Sequence, residues 1–391
     1  MAPGRRQTGR RQRAGRRSAA ALALWLAACA PAREGGDRLA AAADLAAAGV
    51  AARARGEPAA AVSQLGRAVA LAPEDPRLWN SLGLAQQDAG DAAAAQKSFE
   101  RAIGLDPRGY EPHLNLAVLL MRAGVSGRAR SEFEQAVEAQ PGEPLVYWNF
   151  AAALVDVGKP EAARGLLDQA LALDPNAGPA HAEMGRVESR AGHHAAALAH
   201  FARAESLGVA TATLAGNHGL ELLQAGDVDA AVTRLERAVA LDSTRATAWS
   251  HLGVARLRSD RADAAIAALE RAHRLAPSDE DVRFNLANAL LRRERHAEAR
   301  RLLEAPPPQR ADLLSLWGMA LRGEGRLQDA LPILRRASER SPRDVDVLNN
   351  YGVVLAETGD VAAALEVWRR VLALDPGNAV ARDNLAARSG R

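Results

Sequence analysis

Residues 75–107 read DPRLWNSLGLAQQDAGDAAAAQKSFERAIGLDP. Trp79, Leu82 and Gly83 fall on one face of a first helical stretch, and Ala95, Phe99 and Ala102 on one face of a second. Steps of three and four residues bring such side chains together along a helix. Gly90 stands between the two stretches, where a left-handed residue ends a helix at no steric cost. Pro107 follows the second stretch and stops it, because proline has no N–H with which to continue the ladder. The segment predicts a helical hairpin with one apolar face to bury.

The hairpin recurs every 34 residues. One step on stand Leu116, Gly124, Ala129, Phe133, Ala136 and Pro141; the next step gives Tyr147, Phe150, Leu154, Gly158, Ala163, Leu167, Ala170 and Pro175. Units open at 42, 76, 110, 144, 178, 212, 246 and 280, then at 311 and 345 after one shortened unit. This pattern resembles the tetratricopeptide repeat over about 42–378. The resemblance implies an all-α fold: a right-handed solenoid of helix–turn–helix units, each burying its apolar face against its neighbours. Small residues such as Gly83, Ala117, Ala151, Gly219 and Gly253 let the two helices of a unit lie close. The organisation that follows is a repeat array over 42–303, a Pro-rich break over 304–310, two further repeats over 311–378, and a capping helix over 379–391.

Three departures stand out. No proline follows the second helix near Leu207-Gly208-Val209, and Ser243 takes the proline place one unit later, so both ends are expected to be less sharply set. In the unit at 280, Pro306 falls where a buried alanine belongs and is followed by Pro307 and Pro308. That second helix should end near Ala305, leaving a break that shifts the superhelix and a candidate hinge.

In the resembled architecture the first helix of each unit lines the concave face, with its sixth residue toward the groove. That place holds Asn115, Asn149, Asn217, Asn285 and Asn350, with Ser81 and His251 as polar stand-ins. A carboxamide both donates and accepts, so a ladder of them could hold the backbone of an extended peptide. The same groups could instead bond between neighbouring helices. Trp148 and Phe284 are candidate anchors for peptide side chains, or packing residues against the next helix. Arg122, Arg190, Arg258 and Arg292 sit at the groove edge, where Asp88, Asp156 and Glu357 stand in other units.

Composition separates two parts of the chain. Its 391 residues hold 50 Lys+Arg and 47 Asp+Glu, for a formal net charge of +3. Seven arginines precede residue 18 with no acid among them, and an apolar run from Ser18 to Ala28 follows. Eleven residues are too few to span a bilayer, which takes about twenty, so residues 1–28 read as a secretory signal. The run Leu26-Ala27-Ala28-Cys29 resembles the lipobox of bacterial lipoproteins, and Cys29 is the single cysteine. The resemblance implies cleavage before Cys29, a diacylglyceryl group on its thiol, and usually acylation of its amine. Ala30, where an aspartate would favour retention at the inner membrane, implies the outer membrane. A plain secretory signal is the alternative, and Arg16-Arg17 resembles a twin-arginine signal weakly. Residues 29–41 then form the lipidated end and a flexible tether. Without residues 1–28 the balance is 43 basic to 47 acidic residues, about −4, which removes the compositional case for nucleic-acid binding.

No chemistry-bearing motif appears. There is no phosphate loop, no Gly-x-Gly-x-x-Gly and no Gly-x-Ser-x-Gly. His193, His194 and His200 do not have the spacing of a helical zinc pair. The reading is a protein that is not an enzyme and takes no cofactor, metal or small-molecule substrate. Its expected partners are proteins or extended peptides, and a membrane through Cys29. Lipoproteins of this build resemble type IV pilus pilotins, tight-adherence pilus factors and polysaccharide-export partners, which implies an adaptor at the periplasmic face of the outer membrane. The alternative is a soluble secreted or periplasmic chaperone or regulatory scaffold without lipid.

Overall fold

The computed structural model describes residues 33–389; the signal segment and Cys29 lie outside the described residues. Among the described residues there are twenty-one helices and no strand. Two compact units divide at Gly192 and His193.

The first unit holds α1 (Arg33–Ala54), α2 (Pro58–Leu71), α3 (Pro76–Asp88), α4 (Ala92–Leu105), α5 (Tyr110–Arg122), α6 (Ser126–Ala139), α7 (Pro144–Asp156), α8 (Pro160–Leu173) and α9 (Gly178–Arg190). The second holds α10 (His194–Ser206), α11 (Ala212–Gln224), α12 (Val228–Leu241), α13 (Ala246–Arg258), α14 (Ala262–Leu275), α15 (Glu280–Arg292), α16 (His296–Glu304), α17 (Ala311–Gly323), α18 (Leu327–Arg340), α19 (Val345–Glu357), α20 (Val361–Leu374) and α21 (Ala379–Ser389). Within each unit, successive helices pack against one another along the chain.

One contact holds each hairpin closed. The eighth residue of the first helix is small because a large side chain of the second lies over it. A Cβ built on Gly83 would stand 2.5 Å from the Phe99 ring, and one on Gly352 would stand 2.7 Å from Trp368. Phe99 and Trp368 are fully buried, as are Leu65, Leu235, Leu269 and Leu334 in the equivalent seat. Burial of one such side chain contributes about 1.5–3 kcal/mol.

Helix ends are set by more than proline. Glycines between paired helices are left-handed, Gly90 at φ 83° among them. Asp260 and Glu294 take that conformation at φ 59° and 56° without being glycine. Near Leu207 the expectation of a loose end is corrected. Gly208 is left-handed at φ 88°, and the Val209 N–H donates to the Ala204 carbonyl at 3.1 Å, ending α10 sharply. At Ser243 the Asp242 carboxylate accepts from the Thr244 N–H at 3.0 Å and fixes the turn that proline fixes elsewhere.

Two further differences concern connectors. The residues 33–41 expected as part of a flexible tether belong to α1, and Leu39 packs against the cluster of Leu65 and Leu78. Segment 304–310 follows α16, which ends at Glu304 where proline was expected to stop it. Arg283, 3% exposed, donates to the carbonyls of Pro306 at 2.7 Å and Leu302 at 3.1 Å, tying the segment to α15. At the C-terminus α21 buries Ala381 and packs Leu385 on the Trp368 cluster.

Gly83→Ala should destabilise the first unit by about 1–3 kcal/mol, because the Phe99 ring has no room to retreat. Glu294→Gly should stabilise the second by about 1 kcal/mol by removing a left-handed non-glycine residue. Urea titration of each variant followed by circular dichroism checks both signs.

Candidate functional site

Each face of the array is set by residues at a fixed place in the repeat, counted here from the first residue of each 34-residue unit. The sixth-place asparagines are half-buried, and most of them bond to the preceding unit. Asn115 Nδ2 donates to Asn80 Oδ1 at 2.9 Å, Asn350 Nδ2 to Ser315 Oγ at 2.9 Å, and Asn285 Nδ2 to Ser250 Oγ at 3.4 Å. In all three the acceptor is the fifth residue of the unit before. Asn149 differs because Leu114 holds that fifth place and offers no acceptor. Its Nδ2 turns back to the Leu145 carbonyl at 2.8 Å, and its Oδ1 has no partner among the described residues. The Asn217 side chain makes no hydrogen bond among the described residues.

Trp148 is half-buried on the cluster of Tyr147, Ala151 and Val155. Phe284 is half-buried against Ala287, Leu303 and Leu313. Both rings rest on core side chains. Of these side chains, Asn149 lines a cavity within the first unit.

The thirteenth-place charges also join neighbouring units. Arg258 Nη1 donates to the Leu223 carbonyl at 2.8 Å, and Arg190 Nη1 to the Val155 carbonyl. These carbonyls end first helices, where a cation meets the negative pole of the helix dipole. Asp88 pairs with Arg53, Asp156 with Arg186 and Glu357 with Arg322, each at 2.5 Å. Arg122 and Arg292 make no such contact among the described residues.

A recurring bond had gone unread in the sequence. The fourth residue of the first helix sends a ring N–H or O–H back to the carbonyl that follows the preceding helix. Trp79 donates to Pro73, Tyr147 to Pro141 and Trp249 to Ser243 at 2.7, 2.9 and 3.0 Å, while His113 and His181 reach Pro107 and Pro175 at 3.1 Å. The signal was available: a side chain with a ring donor six residues after the helix-ending residue. His113 Nδ1 also meets Glu132 Oε2 at 2.6 Å. Glu183 was likewise passed over at the sixth place of its unit. Burial raises its carboxyl above the ordinary range against the pull of Arg186, with which it pairs at 2.7 Å.

Two cavities flank α7. One of about 280 Å³ lies between α5 and α7, walled by Val118, Met121, Ala153 and Val157, with Arg122, Asn149 and Asp156 at its rim. The other, of about 340 Å³, opens beside Phe150, Leu154 and Leu166, with Arg130, Glu134 and Lys159 among its lining. Phe150 stacks on Phe133 with centroids 4.2 Å apart. No group of three or more His, Cys, Asp or Glu side chains placed to hold a metal ion occurs among the described residues. His194 instead meets the buried Glu221 carboxylate at 2.8 Å.

These features define an all-α repeat protein whose polar ladders mostly hold its own units together. A family model described as tetratricopeptide repeat matches residues 46–86, 81–144, 149–210, 217–280 and 315–379, and a second of the same description matches 256–322. The chain belongs to the tetratricopeptide repeat family, whose members are interaction scaffolds, and neither matching model describes a catalytic domain. Among curated proteins none matches. Similar solved structures include Pseudomonas aeruginosa pilF, at 20% identity and TM-score 0.47, covering 55% of this chain and 97% of that one. A tetratricopeptide repeat protein from Parabacteroides merdae is similar at 15% identity and TM-score 0.48, covering 64% and 99%. YrrB, described as having an unusual peptide-binding site, is similar at 22% identity and TM-score 0.28, covering 64% and 96%.

Burial pushes the imidazoles of His218, His251 and His273 below their ordinary value of 6.5; Glu205 opposes the shift at His218, and Arg283 adds to it at His273. A histidine so shifted binds fewer protons in the folded chain than in the unfolded one. Stability of the second unit should therefore be lost as pH falls through about 6.5. His251→Gln should flatten the fall in its urea midpoint between about pH 7 and about pH 5; an unchanged slope would contradict the assignment to His251.

Proposed function

We propose that the chain is a protein-interaction scaffold held to a bacterial envelope by acylated Cys29. It works at the periplasmic face of the outer membrane, where its first-helix face receives proteins or extended peptides of an envelope assembly such as a pilus, a secretion machine or a polysaccharide exporter. The observation that carries the scaffold reading is the cavity between α5 and α7, where an apolar wall, a carboxamide oxygen without a partner and an unpaired arginine meet. A ligand pocket needs that combination of apolar area and a few placed polar groups.

Support for the anchor comes from the sequence: seven arginines, a short apolar run, and Leu26-Ala27-Ala28 before the single cysteine. No helix among the described residues is long and apolar enough to cross a membrane. Stable attachment by acyl chains takes at least two, each buried CH₂ contributing about 0.8 kcal/mol.

Metabolic labelling with a palmitate analogue, followed by envelope fractionation, tests the anchor. Cys29→Ser should abolish label and move the protein to the soluble fraction. Persistent membrane association of that variant would overturn the anchor, and release of an unlabelled wild type would favour the soluble scaffold.

A further inference from the structure

The helix α7 is the part of the array least like its neighbours. Apart from Asn149 and Asp156, every residue of PLVYWNFAAALVD is apolar or aromatic. A helix apolar on all sides is ordinarily buried on all sides. Here Leu145 is 37% exposed, Val157 beside its end is 38% exposed, and Trp148, Phe150, Ala152 and Leu154 are only half-buried. The helix carries apolar surface that its own unit does not cover.

The arginines beside this surface are engaged, with one exception. Arg122, Arg186 and Arg190 stand on the first helices α5 and α9 on either side of α7, against Asp156 and Glu183. Arg186 joins both acids, at 2.5 Å and 2.7 Å, and Arg190 holds the Val155 carbonyl. Arg122 is exposed at the cavity rim and makes no ion pair among the described residues, while Asp156 on the same rim is held by Arg186.

We infer that the cavity between α5 and α7 is a specificity pocket for an extended partner segment carrying an aliphatic residue next to an aspartate or glutamate. This rests on the scaffold reading and names the segment that scaffold selects. The aliphatic side chain fills the cavity against Val118, Met121 and Val157. The neighbouring carboxylate pairs with the Arg122 guanidinium, which suits a carboxylate by its paired N–H donors. A backbone N–H of the segment donates to Asn149 Oδ1, the acceptor that Leu114 leaves idle.

The test is selection of a random dodecapeptide display library on the full chain, followed by affinity measurement on individual synthetic peptides. The wild type should enrich segments with adjacent aliphatic and acidic residues. Arg122→Glu should keep the aliphatic preference, lose the acidic one, and weaken the selected acidic peptides about tenfold or more. Ala152→Phe, which fills the cavity from its α7 side, should remove both preferences. Arg122 is exposed, so the first variant should keep the wild-type melting curve. Enrichment without the aliphatic–acidic pair, or enrichment unchanged in both variants, would overturn this pocket while leaving peptide binding standing. Recovery of no peptides at all would overturn the pocket and the peptide-receiving part of the scaffold reading together.

Discussion

A helical hairpin of this size has one apolar face and cannot hide it alone. What closes the hairpin is the seat between a missing or single-carbon side chain on the first helix and a large one on the second. With no room for a Cβ between Gly83 and Phe99, or between Gly352 and Trp368, the helices come within reach of each other's alanines. That closeness explains why a chain with only 4% aromatic residues can build a core. Ala95, Ala129, Ala163 and Ala265 are completely buried because the backbones approach far enough for one carbon to fill the gap. The left-handed turn and the helix-ending carbonyls follow from the same hairpin, and the ring donors of Trp79, His113 and Tyr147 pin their own hairpins to the helices before them.

The polar side chains of the first helices answer to this packing before they answer to any partner. An asparagine at the sixth place finds an acceptor when the preceding unit offers a polar fifth residue, as Asn80, Ser250 and Ser315 do. A half-buried carboxamide facing such a residue will bond to it, since leaving a buried donor unmade costs more than the bond returns. Where the fifth residue is Leu114, Asn149 is released from that duty, and the thirteenth-place Arg122 is released in the same unit pair. Function becomes possible where the structural use of a recurring side chain lapses.

The pairing just described was half legible in the sequence. Asn115, Asn149, Asn217, Asn285 and Asn350 were visible as a ladder, and so was the choice between peptide binding and packing. That choice turns on which residue lies 35 positions earlier, a relation across units that a single-unit pattern does not display. The ring donors to Pro107 and Pro141 are hidden for a similar reason: a proline marks a helix end in the pattern, while the use of its carbonyl depends on how the next hairpin packs. Arg283 carries no signal in the repeat pattern, yet its guanidinium reaches forward to Pro306 and holds the shortened unit.

The sequence by itself determined the helical class, the 34-residue hairpin, the place of its turns and the seats of its small residues, because these depend on periodicity and local sterics. It also set apart the basic segment that precedes Cys29. Tertiary structure decided which asparagines and arginines are consumed between units and which are left over, where α7 stays uncovered, and how a helix ends without proline at Gly208. Those outcomes depend on contacts between side chains that are far apart in the chain, and their geometry exists only once neighbouring hairpins have packed.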